Sequence, residues 1–153
     1  MTYEGELLTF CPKNAFALRH AYAVVVSGDP RMHNRWGHML LNTGGNGGIY
    51  FQIAGQFRAC PRYMDELGYQ RYLKETRKKE LRRFPVRIPN PDAAQLKLEE
   101  LLSKPWTWWV VWLNCETFVE EIIIAGGGRP IHNGLFYLPT ASRQQTPGAS
   151  GSW

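Results

Sequence analysis

Three cysteines, Cys11, Cys60 and Cys115, are too few and too oddly numbered for a disulfide framework, and their spacing fits no zinc-ligand pattern. At least one thiol is left free, and no metal or cofactor is expected. No stretch approaches the roughly eighteen uninterrupted apolar residues of a membrane span. The opening Met1-Thr2-Tyr3-Glu4-Gly5-Glu6 lacks the basic and apolar regions of a signal peptide, so synthesis in the cytoplasm is expected, with any export by a leaderless route. The Gly-rich run at 44–48 lacks the Lys-Ser/Thr ending of a phosphate-binding loop and is expected to be turn chemistry. Nothing matches a nucleic-acid-binding motif, so no specific nucleic-acid partner is expected.

What is present suffices for a core: 44% of the 153 residues are hydrophobic and 13% aromatic. Residues 1–139 are expected to form one catalytic domain, followed by a polar, turn-rich tail over 140–153. The formal charge of +5 is local. Much of the excess lies between Arg71 and Arg87, where a solvated helix face and contact with an anionic partner (phospholipid, cell-wall polymer or nucleic acid) are both open.

Strands are expected at 21–27, 37–42 and 49–54, the last two joined by the Gly-rich turn as an antiparallel hairpin. A helix is expected over 63–79 with Met64, Leu67, Tyr72 and Leu73 on its apolar side. A short strand follows at 84–88, where Pro85 favours an edge or a bulge. Pro91 and Pro105 punctuate a helix over 93–103. The aromatic run 106–112 then leads as a linker and strand into a helix that starts at Asn114-Cys115 and stops at Gly126-Gly127-Gly128.

A cysteine in the first turn of that helix would lie among unpaired N–H groups and the positive end of the macrodipole, which favour a thiolate. Phe118, Val119 and Ile122, at i+3, i+4 and i+7 from Cys115, continue an apolar stripe from it. A nucleophilic Cys115 needs a base. Of four histidines, His20, His33, His38 and His132, His38 is the best placed because a strand start would hold it rigidly. Tyr50 and Gln52 share a face of the next strand, and Gln52 is preferred to orient the imidazole because its amide oxygen accepts a hydrogen bond readily.

Trp36-Gly37-His38 at a strand start, a polar residue on the next strand, and the late Asn114-Cys115-Glu116-Thr117-Phe118-Val119 together resemble the circularly permuted NlpC-type papain-like fold, in the group containing lecithin:retinol acyltransferase-like proteins. The likeness spans about 22–124, and the order His before Cys marks the permuted form. It implies an α+β fold, an antiparallel sheet packed against the helix that carries the cysteine. It assigns the nucleophile to Cys115, the base to His38 and the third polar member to Gln52, where the family often has a second histidine; Thr117 is a further departure. Asn114, Trp36, Tyr50 and Trp112 are expected beside the substrate.

The activity implied is covalent acyl transfer through a thioester, with backbone N–H groups at the helix start, that of Cys115 included, stabilising the oxyanion. An amidase or peptidase on cell-wall peptides is expected ahead of a phospholipase or acyltransferase, because the second histidine is missing. A toxin or effector role, with an inhibitor or immunity protein as partner, would accompany leaderless delivery. The competing class is a non-enzymatic basic binding module in which Cys115 is structural.

Overall fold

The computed structural model describes residues 2–9, 18–28, 37–44, 48–54, 60–103 and 111–131. Among these, six strands form one antiparallel sheet: β1 (Glu6–Leu7), β2 (Ala21–Val26), β3 (His38–Thr43), β4 (Ile49–Ala54), β5 (Cys60–Met64) and β6 (Glu80–Val86), in the order β1-β5-β4-β3-β2-β6. Three helices accompany it, α1 (Glu66–Thr76), α2 (Pro91–Ser103) and α3 (Val111–Ala125). The class is α+β, as expected. None of the described helices is long and apolar enough to cross a membrane.

Strand alternation sorts the side chains into two cores. On one face Ala23, Val25, Met39, Leu41, Phe51 and Ile53 meet α2 through Leu98 and Leu101 and α3 through Cys115, Phe118, Val119 and Ile122. The opposite face places Val24, Val26, Leu40 and Tyr50 against Tyr69 and Tyr72 of α1, with Tyr3 packed alongside. Each fully buried aliphatic or aromatic side chain is worth about 1.5–3 kcal/mol, so these two layers fix the sheet's register.

The expected hairpin is present as β3 and β4, paired Leu41 to Phe51, Asn42 to Tyr50 and Thr43 to Ile49. Pro85 sits on the edge strand β6, where its missing N–H costs no ladder bond on the outer side. That strand begins at Glu80, earlier than the expected 84–88. Asn90 caps α2 by accepting from the Ala93 amide, which puts Pro91 at the first helical position.

Two expectations are corrected. Residues 63 and 64 belong to β5, and α1 starts only at Glu66, after Asp65 caps it by accepting from the Gly68 amide at 2.7 Å. Leu67 accordingly lies outside the apolar face, 81% exposed. The second correction concerns α3, which begins at Val111 and not at Asn114. Its end is as expected: the Gly128 amide donates to the Ile123 carbonyl, and Gly127 takes a φ of 81° that closes the helix. Of the expected strand 106–112, residues 106–110 lie outside the described residues.

Candidate active site

His38 opens β3 beside Val26 of β2, directly after Gly37, whose φ of 75° turns the chain into the strand. Its Nε2 lies 2.7 Å from Oε1 of Gln52, a diagonal neighbour on β4. The Gln52 Nε2 donates to the Glu4 carbonyl at 2.8 Å. An amide whose N–H₂ end is so engaged presents its oxygen to His38, so the imidazole carries its proton on Nε2 and has its basic lone pair on Nδ1. Burial, reinforced by the Lys78 charge and opposed by the bond to Gln52, pushes the His38 pKa down to about 3. The ring is therefore neutral at neutral pH.

Cys115 is the fifth residue of α3 and completely buried. Helix geometry pairs its N–H with the Val111 carbonyl, one turn back, so that N–H is not among the unpaired donors of the helix start. The expected lowering of its pKa is reversed. Burial pushes the thiol up to about 12, the Met39 and Glu116 amides and Lys78 pull the other way, and the Glu116 carboxylate adds to the rise. Desolvation outweighs the dipole here because the charged form would lie in an apolar layer.

The sheet stands between the two candidate groups. His38 and Gln52 fall on the face of Leu40 and Tyr50, toward α1, whereas Cys115 packs with Met39 and Leu41 on the face of α3. One backbone contact links the two faces. Pairing of β3 with β4 ends at Leu41 and Phe51, and beyond it the Met39 amide, one residue from His38, hydrogen-bonds the Cys115 sulfur.

Tyr50 is fully buried and does not orient His38: its hydroxyl donates to Glu66 at 2.7 Å and accepts from Arg83 at 2.7 Å, while its ring stacks on Tyr69 at 4.0 Å. A substrate-contacting role for Tyr50 thus gives way to a structural one. Its pKa rises to about 12, through burial first and the Glu66 bond second. Trp36 lies outside the described residues. Trp112 and Asn114 lie in the first turn of α3, which removes Asn114 as N-cap; their side chains are outside those described.

Three participants escaped the sequence reading: the Met39 amide, the Glu4 carbonyl and Lys78. The first two are backbone groups that no residue type announces. Lys78 carried a signal, its place in the basic run. The turn after α1, where Arg77 adopts φ 58° and the Lys78 amide donates to the Leu73 carbonyl, is tied by paired bonds between Lys79 and Ser27 to the end of β2 beside His38.

Among the described residues no group of three or more side chains could hold a metal ion. Comparison of the chain with family models, with curated proteins and with solved structures finds no match.

Proposed function

We propose that the protein is a cysteine hydrolase with a permuted papain-like arrangement, acting through a thioacyl-enzyme on an amide. The observation that carries this reading is the His38–Gln52 bond: a buried, neutral imidazole of defined tautomer, beside the strand amide that reaches the Cys115 sulfur. With the thiol held protonated and the imidazole neutral, the pair is not a preformed ion pair. The Cys115 proton passes to His38 Nδ1 as the sulfur bonds the carbonyl carbon and the carbonyl π pair moves onto oxygen.

Collapse expels the amine, which takes the proton from His38. Water then adds to the thioester, returning a proton through His38 and releasing acid and thiol. This chemistry requires Cys115 to meet both substrate and Nδ1 past the end of the β3–β4 ladder at Leu41 and Phe51.

Cell-wall peptides are the substrate class of first choice, in a toxin with a cognate inhibitor protein; lipid esters are the alternative. The protein is to be incubated separately with peptidoglycan fragments and phospholipid vesicles. Cleavage of the former, lost in Cys115→Ala and His38→Ala, is expected. Cleavage of vesicle lipid alone moves the reading to a phospholipase, and cleavage unaffected by either substitution overturns both.

The complete burial of Cys115 favours a second reading, a basic binding module in which this residue only packs. Residues 71–87 hold eight Lys and Arg against two Glu, a surplus of six, so the rest of the chain carries minus one of its total of +5. Arg71 pairs with Glu75 and Arg83 with Glu80, while Lys74, Arg77 and Lys79 remain exposed. In that reading charge reversal at Lys74 and Lys79 abolishes binding to an anionic surface, and Cys115→Ala has no effect on it.

A further inference from the structure

An amide beside an imidazole is ambiguous by itself. Gln52 could accept from Nε2–H through its oxygen or donate to a bare Nε2 through its nitrogen, and the two arrangements leave opposite ring nitrogens basic. A third group decides. The Glu4 carbonyl can only accept, and it lies 2.8 Å from the Gln52 nitrogen.

We propose that residues 3–5 are a strap that positions His38: the Glu4 carbonyl fixes the Gln52 amide in one orientation, and that orientation keeps the imidazole as the Nε2–H tautomer with Nδ1 as its basic nitrogen. Glu4 is in these terms a positioning residue, acting through Gln52.

The strap is held from three elements. Arg62 of β5 donates to the Gly5 carbonyl at 2.9 Å and to the Ala54 carbonyl, at the end of β4, at 3.2 Å, so one guanidinium ties strap to strand. On α1, the Arg71 guanidinium lies 4.3 Å from the centre of the Tyr3 ring. Gly5 makes the bend, with φ 94°, and a Cβ there would stand 2.7 Å from the Tyr63 carbonyl oxygen. Gln52 is completely buried, so a flipped amide would set oxygen against oxygen with no water to relieve it.

The consequence for catalysis rests on the hydrolase reading; the consequence for the tautomer does not. The test is a long-range ¹H–¹⁵N correlation spectrum of the full, ¹⁵N-labelled chain at pH 7. Wild-type His38 is expected to show the Nε2–H pattern. In Gly5→Ala and Tyr3→Ala the minor Nδ1–H form should rise about fivefold, from loss of one net hydrogen bond. Tyr3→Ala, which leaves the backbone bend untouched, keeps the test available if Gly5→Ala does not fold. In a Gln52→Glu background both carboxylate oxygens accept, so Tyr3→Ala should leave the Nε2–H pattern unchanged. A wild-type Nδ1–H pattern, or folded strap variants with an unmoved tautomer, overturns the proposal. Absence of amide hydrolysis together with the expected tautomer shift leaves the strap standing and removes the hydrolase reading instead.

Discussion

His38 binds its proton in the unfolded chain near pH 6.5, but in the folded protein only near 3. Between those values the unfolded state holds the extra proton, so stability falls as pH drops through the window, by up to about 1.4 kcal/mol per unit, and the slope vanishes below it. Denaturant melts at pH 7, 5 and 4 should show this slope in the wild type, and His38→Asn should lose about one proton's worth of it. An identical slope in both would contradict the burial assigned to the ring. Cys115 acts at the other end: its raised pKa removes stability as pH climbs from about 9 toward 12. For activity, Gln52→Ala should lower turnover about a hundredfold through misplacement of the imidazole, with substrate affinity little changed, as steady-state kinetics would show. At this scale the sequence was legible where a side chain was the actor: His38 opens an expected strand, and Gln52 lies on the next one, on the face it shares with Tyr50 by alternation. It was not legible for Cys115, because burial, which only the full packing sets, outweighs helix position in deciding this thiol's pKa.

Elements were legible where they bury apolar side chains at a regular period. β2, β3, β4 and α2 fall close to their expected ranges because Ala21–Val26, His38–Thr43 and Ile49–Ala54 are apolar runs between turns, and Pro91 marks a helix start. β5 was hidden: Cys-Pro-Arg-Tyr-Met has no β-branched residue, and it is a strand because β4 and β1 pair with it on either side. The start of α3 was hidden by Val, Trp and Leu, which suit a strand. For α1 the missed signal was Asp65. Its side chain satisfies the Gly68 amide, so Asp65→Ala should cost about 1 kcal/mol, read as a shift in the urea midpoint at constant m, and Asp65→Ser should restore most of it. No loss in Asp65→Ala would contradict the capped start.

Over the whole molecule, one sheet separates two cores that do different work. The α3 side packs apolar residues around a thiol, and the α1 side carries the polar groups: His38, Gln52, the strap, and the Glu66–Tyr50–Arg83–Glu80–Tyr69 network. The basic surplus runs from α1 through the turn at Lys78 into β6, close to the His38 end of β3, so a negatively charged substrate would be drawn toward that end of the sheet. The α+β class and hairpin were readable from patterning; the separation of His38 from Cys115 by a sheet layer was not, since both lie on elements whose faces are set only by the full topology. The most direct test is intact-mass and peptide-mapping analysis of the folded protein after exposure to an activated acyl ester at pH 7, in the wild type and in His38→Ala. A single acyl group on Cys115, formed in the wild type and at least about a hundredfold slower in His38→Ala, is the predicted result. An unacylated Cys115, or acylation equally fast in both proteins, would contradict nucleophilic chemistry at this site.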